Sequence, residues 1–529
     1  MSRVLPIQPP LDFKPQNWTK FQQDDLRRMW QDIAAFINQG GAGATGGGML
    51  SVLDFPGADA GQKIANVINA LPTTGGIVDA RALAGSQNIS QNVFQNLSGK
   101  PITILFGAAQ FHVTVPQVIS LANNIGLQGT GCSGDTGTTD LTQTTFLWDG
   151  ANGGTVFTYD RARDCAAERF NIVPGTGTIG IGIRLDHISA GSVITTHNTF
   201  RKIAIGISTT AVQIGNSSVA NNDLHVFEDV FIGGAGTQGY FINNGQSKNI
   251  SITGGSIGFR THGVMLNNGS FTAENINLSN NTNDFSVANV ADTVLIRSCH
   301  SESANKFLNN TSGATLASQM IILLANRGAT NNVGADNVYL FYQGPGPLVL
   351  IGNQFYTGGN QPSVKVLIAS SITGQVRVAS WGNLYWDTGL FTNNSFVNRT
   401  DLFSVADMAV DGSSQVIQMP PIYGFSYNGT LTLANGANDN IAIPAADILK
   451  ITGPTAAFSI SGFLNQIPGR RVQVFNSTSQ QMTIKNQTGS STYNQIQTLT
   501  GADVVLRAGT SYASFYYDPA GKWILTSSN

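Results

Sequence analysis

Charge is the first thing missing from this chain. Asp, Glu, Lys and Arg make up 11% of its 529 residues, against about 25% in an ordinary soluble domain. The net balance is −2, so there is no basic excess of the kind that nucleic acid demands. Cysteine is nearly absent too. Cys132, Cys165 and Cys299 are odd in number and far apart, which excludes a disulfide framework and a CxxC metal pair. They read as small buried apolar residues. The histidines show neither HxH nor HExxH spacing, so no metal and no cofactor is expected. No apolar run reaches about 18 residues, and the opening MSRVLPIQPPLDFKPQNW lacks the apolar stretch of a secretory signal. The chain is expected neither to insert in a membrane nor to use the general secretion route.

What is present is a repeat. From Phe200 to about Asn383 an apolar residue opens each short strand, at Phe200, Phe227, Ile252, Ala273, Ile296, Leu323, Ile351 and Val378, in steps of 21 to 28 residues. Two residues earlier stand Asn198, His225, Ile250, Phe271, Val294, Ile321, Val349 and Val376, mostly apolar, as alternation requires of two positions on one strand face. Three residues after the anchors come Ile203, Val230, Gly255, Ile276 and Cys299, and the last three repeats lose this second part of the pattern. Such a period, with turns rich in Asn, Gly and Ser, predicts one coil of a parallel β-helix per repeat. Leucine-rich repeats share the period but need a dense leucine framework and a recurring Asn, which this stretch lacks. The stack also explains the missing charge. An outward position recurs about every 4.8 Å along the axis, where like charges would pile up while Asn, Ser and Thr stack and hydrogen-bond.

Around the repeat the chain reads as a series of modules. Residues 1–39 are Pro-rich and then helical from Asn17, with Leu26, Trp30, Ile33 and Ile37 as a short apolar seam. One seam this short needs a partner, either the same chain or a structure it docks on. The glycine run of residues 40–48 reads as a flexible joint. A β-helix is expected over 49–400, with a helix at about 60–71, then a linker over 401–428 containing Met419-Pro420-Pro421. Residues 429–529 read as closely spaced strands of an antiparallel β-sandwich. Gly175, Gly177 and Gly180 spell GxGxxG, but a strand follows instead of a helix, so the dinucleotide reading fails.

Asp54-Phe55, Gly57-Ala58-Asp59, the helix, Gly75-Gly76 before a strand and Gly129-Thr130-Gly131 together resemble the opening of the pectate-lyase-like right-handed β-helix superfamily, in the version used by bacteriophage tailspikes. The resemblance covers about residues 50–390. It implies a helix capping the first coil, a homotrimer, and a bacterial surface polysaccharide as ligand. The ending resembles, more loosely, the small β-sandwich that closes many phage fibres. The polygalacturonase branch carries NTD, DD, GHG and RIK signatures. Here Asn221-Asn222-Asp223 and Thr261-His262-Gly263 stand nearest to them, and the only Asp-Asp lies in the N-terminal helix.

Glycan cleavage needs two carboxylates, roughly 6.5–9.5 Å apart for inversion and closer for retention. One residue after the anchors the column reads Arg201, Glu228, Thr253, Glu274 and Arg297. Glu228 and Glu274, two coils apart, are the first catalytic candidates; the competing reading is a solvated ladder balanced by the two arginines. Asp160, Asp164 and Asp186, with Glu168 and four interleaved arginines, are the second. Sugar rings also stack on aromatic faces, which makes Tyr385, Trp386 and Trp381, with Asp387 beside them, candidates for carbohydrate binding. Trp381 falls at an inward position, so core packing explains it as well.

The leading expectation is a tailspike-like receptor-binding protein of a virion tail, docked on tail or baseplate proteins through residues 1–39 and released by lysis. Whether it also depolymerises its glycan stays open. A stand-alone polysaccharide hydrolase or lyase and a non-enzymatic adhesin are the alternatives.

Overall fold

The computed structural model describes residues 48–133, 142–186, 194–216, 221–289, 292–311, 320–330, 339–342, 347–357, 366–368, 377–386, 396–397, 401–405, 407–410, 416–418, 428–443, 448–464, 469–509, 511–518 and 521–529. The expected attachment helix, the glycine joint up to residue 47, Asp387 and Met419-Pro420-Pro421 lie outside them. The fold is all-β, a parallel β-solenoid of about 14 turns followed by antiparallel sheets at the C-terminus. Two compact units divide the chain. The first takes residues up to 346 with 353–369 and 386–397, the second 347–352, 370–385 and 398–529.

The first unit opens with the helix Ala60–Ala70. Asp59 caps it, accepting from the Gln62 backbone N–H at 2.8 Å, and the Gln62 side chain accepts from Ala58 N–H at 2.7 Å, a reciprocal pair that satisfies the free amides of a first turn. Ile64, Val67 and Ile68 are buried. Lys100 closes the other end, its Nζ donating to the carbonyls of Ile68, Asn69 and Leu71.

In the coils the inward column stacks in register as the repeat predicts. Phe200, Phe227, Ile252, Ala273, Ile296 and Leu323 are cross-strand partners in turn, and all are buried. Two residues later each coil bends at a left-handed residue: Lys202, Asp229, Gly254, Asn275, Ser298 and Ala325 all have φ between 50° and 67°. A single left-handed residue turns the chain sharply, so this position separates two strands of one coil. His225, in the column two residues before the anchor, is buried and satisfied, with Nε2 2.6 Å from Asn222 Oδ1 and Nδ1 accepting from Asn198 N–H.

The last two anchors slip. Ile351 is 41% exposed, and Leu350 beside it is buried. Val378 pairs with Leu348, Ser380 with Leu350 and Trp381 with Ile351. The residue under which the coil closes is therefore Ser380, and Trp381 points out, 59% exposed, contrary to its expected inward place. A one-residue shift moves a whole strand to the other face. The second half of the pattern is not lost but changes chemistry. Three residues after Leu323, Leu350 and Ser380 stand Asn326, Asn353 and Asn383, all buried. Asn353 Oδ1 accepts from the Asn326 backbone and side chain, and its Nδ2 donates to Leu323 O at 2.9 Å. An amide can serve a donor and an acceptor of neighbouring coils at once.

In the second unit the C-terminal strands form two sheets around one core of Phe463, Phe515, Trp523 and their neighbours. Asn428–Thr432, Ile448–Thr452 and Arg471–Asn476 pair in parallel, and Ser511–Asp518 and Lys522–Ser528 close that sheet antiparallel.

Candidate functional site

The carboxylates predicted from the outward column are placed as a ladder. Glu168, Arg201, Glu228, Thr253, Glu274 and Arg297 follow one another in register. Arg201 Nε lies 2.8 Å from Glu228 Oε2, and Arg297 Nη2 lies 2.5 Å from Glu274 Oε2. Each glutamate is thus held by the arginine of an adjacent coil. Such half-exposed pairs add little stability, but neither carboxylate is left to act alone. Glu168 joins this ladder rather than the aspartates, and Gln128 Nε2 donates to it at 3.0 Å.

Asp160 and Asp186 come together and Asp164 does not. The first two are cross-strand partners on neighbouring coils, both buried, so their backbones are about 4.8 Å apart. Asp160 accepts from Ser120 Oγ at 2.8 Å and Arg161 Nη2 at 3.3 Å; Asp186 accepts from Arg184 Nε at 3.0 Å and Nη2 at 2.6 Å. Asp164 is exposed in a left-handed turn. The two acids are neighbours by register, but each is bound to its own arginine.

The aromatic group divides in the same way. Tyr385 is buried, with its OH 3.4 Å from Ser380 Oγ, and burial pushes its phenol well above the usual range. Its ring face is therefore closed to a sugar, a correction to the sequence expectation. Trp381 is open to solvent beside Ile351. The Trp386 side chain and Asp387 lie outside the described residues.

The glycine motif has a local purpose. A Cβ at Gly175 would stand 2.1 Å from Asp149 Oδ1, which instead accepts from the Thr176 N–H at 2.7 Å and hydroxyl at 3.1 Å. Asp149 Oδ2 lies 2.6 Å from His112 Nδ1. Burial raises the Asp149 pKa, but the bonds from Thr176 and His112 outweigh burial and hold the carboxyl below its usual range.

One surface escaped the sequence reading. The third strand of each coil builds an 11-stranded parallel sheet. On it Thr210, Gln238, His262, Asn283 and Lys306 stand in register. Beside them run Gln213, Phe241, Met265, Ser286, Asn309 and Phe341. Thr210 Oγ1 donates to Gln238 Oε1 at 2.7 Å, His262 Nδ1 sits 2.6 Å from Ser286 Oγ, and Lys306 Nζ lies 5.8 Å from the centre of the Phe341 ring. Burial lowers the His262 pKa, favouring the uncharged ring. Thr210, Gln238, His262, Asn283 and Lys306 lie 10, 11, 10, 10 and 10 residues after Phe200, Phe227, Ile252, Ala273 and Ile296, so the repeat does carry this column. Its mixed residue types hid it from a search for recurring apolar positions.

No family model matches the chain. No curated protein matches it either. Among solved structures it is similar to ORF18 of Geobacillus virus E2, at 13% identity over 91% of this chain and 76% of that one, with a TM-score of 0.34. The gp42 tailspike of an Acinetobacter phage is 10% identical over 89% and 78%, with a TM-score of 0.31. An exopolygalacturonase from Thermotoga maritima is 9% identical over 87% and 94%, with a TM-score of 0.21. None of these values transfers a function. Among the described residues, no group of three or more His, Cys, Asp and Glu side chains is placed to hold a metal ion, and no helix is long and apolar enough to cross a membrane.

Proposed function

We propose that this chain is a receptor-binding protein of the tailspike kind that grips a bacterial surface polysaccharide along the flank of its solenoid. One observation carries the reading. The outer face of the 11-stranded sheet repeats neutral hydrogen-bonding groups in axial register: Gln238 and His262 are half-buried beside Phe241 and Met265, with the buried Thr210 and Asn283 on the coils to either side. Its rung spacing of about 5 Å is near the length of one pyranose unit, so successive rungs meet successive sugars. Neutral donors and acceptors set among apolar faces complement what a sugar presents. Glu228, Glu274, Asp160 and Asp186 are engaged with arginines instead, which ranks recognition ahead of cleavage. The test is the full chain on an array of bacterial surface oligosaccharides, with Gln238→Ala and His262→Ala beside it. Retention of a defined glycan by the parent and weaker retention by both variants supports the reading; a parent that retains nothing ends it.

Depolymerisation is a second reading, favoured by the in-register pair Asp160 and Asp186. Reducing ends released from a bound polysaccharide, and lost in Asp160→Asn and Asp186→Asn, would support it. The same proposal includes a homotrimer, a place on the virion tail, and attachment to tail or baseplate proteins by residues 1–39 ahead of a glycine joint over 40–48, a β-helix over 49–400 and a closing module over 429–529. A stable monomer of the full chain in solution would count against the trimer.

A further inference from the structure

Where the second strand of a coil meets the third, consecutive coils lose their outward side chain. Ile205, Ile232 and Ile257 stack in register inside the solenoid, and the outward residue after each is a glycine: Gly206, Gly233 and Gly258. The early coils carry His112 and Leu147 in this column, and Ser279 follows Gly258. Glycine weakens a strand and marks places where a ligand or another backbone approaches closely. A Cβ at Gly258 would lie 2.9 Å from Ser279 Oγ and 3.2 Å from Ser279 O of the next coil, so the neighbouring coil excludes a side chain there and the column stays bare beside the corner.

One residue further on, the corner bears Ile207, Gly234 and Phe259. Ile207 is 57% exposed and Phe259 58%. Phe259 holds φ at 60°, and the matching corner residues are Gly234, Asn280 and Ser303, with φ of 75°, 52° and 64°. Small or amide residues suit that left-handed conformation; an aromatic one is strained there. Leu121 and Leu224 share this combination of exposure and left-handed backbone, and among the described residues Phe259 is the one that presents an aromatic six-membered ring from it. Two or three residues beyond, Thr209, Thr237 and Thr261 present exposed side chains immediately before the in-register residues Thr210, Gln238 and His262.

The recess is rigid. Arg260 is buried, and its guanidinium donates to Ser208 O at 2.5 Å, Gly206 O at 3.1 Å and Gly233 O at 2.9 Å. Gly236 leaves the space, since a Cβ there would lie 1.9 Å from Arg260 Nη1. Three coil ends are thereby tied together from below, and a preformed floor lowers the ordering cost of binding.

We propose that this corner is a pyranose-binding subsite, in which one sugar ring stacks on Phe259 over the glycine recess and directs its hydroxyls to Thr237 and Thr261. The inference rests on the glycan-recognition reading and names its anchoring contact. The experiment places the full chain, Phe259→Ala, Phe259→Asn and Phe259→Tyr on the same array of bacterial surface oligosaccharides and records the Tm of each. Removing the ring should weaken retention about tenfold, and Tyr should restore it to within about twofold. Asn suits the left-handed corner, so Phe259→Asn should lose binding while its Tm rises by about a degree. A ring kept only for packing would lower both together, and that result overturns the subsite. Unchanged binding by Phe259→Ala overturns the subsite and leaves the recognition reading standing. A parent that retains no glycan overturns both.

Discussion

Asp284 should set part of the pH dependence of the solenoid, and Asp284→Asn isolates it. The carboxyl is buried, accepts from Asn281 Nδ2 at 3.0 Å and from the Ser301 hydroxyl, and burial raises its pKa from 3.8 to about 7. The folded chain therefore keeps this proton where the unfolded chain has lost it. Its contribution is fully present below about pH 4 and is lost as pH rises through about 7. A difference of about three units at about 1.4 kcal/mol each amounts to about 4 kcal/mol. His225 acts in the opposite sense. Burial lowers its pKa from 6.5 to about 3, so its contribution is present above 6.5 and is lost as pH falls toward 3. Between about pH 4 and 6.5 the two slopes, each about 1.4 kcal/mol per pH unit, cancel. An Asn at 284 can accept from Asn281 and donate to Ser301, so the variant keeps the bonds and loses the titration. Urea unfolding of parent and variant from pH 4 to 8 should show similar stability at pH 4 and a variant more stable by about 4 kcal/mol at pH 8. A difference that stays flat with pH would refute the assignment.

Asn353→Leu should destabilise the first unit by roughly 3 kcal/mol, measured as Tm, because it strips partners from the Asn326 N–H and the Leu323 carbonyl in a buried turn. Glu274→Gln should cost under about 1 kcal/mol in urea unfolding, since its pair with Arg297 is half-exposed. Tyr385→Ala should lower stability by roughly 3–5 kcal/mol, whereas Trp381→Ala, at an exposed ring, should leave Tm nearly unchanged. Equal effects of the two would contradict their opposite burial.

The solenoid and its inward column from Phe200 to Leu323 were legible from residue order alone, because one buried face repeated at each coil forces an apolar residue at each return of the chain. Residue order also announced the capping helix, whose Asp59 and Gln62 pair within four residues. Legibility failed where several neighbours are equally apolar. In Leu348–Ile351 nothing local separates Leu350 from Ile351, and register alone sent Trp381 outward. It failed again where buried positions are polar, since Asn326, Asn353 and Asn383 look like turn residues until neighbouring coils supply their partners. The acid residues were visible, but their pairing across coils, their arginines and the closure of Tyr385 depend on contacts far apart in the chain. The neutral ladder on the 11-stranded sheet and the strained corner at Phe259 exist only once the coils stack. The repeat sets the offset of these residues from the anchors, and stacking decides which of them face one another and which face solvent.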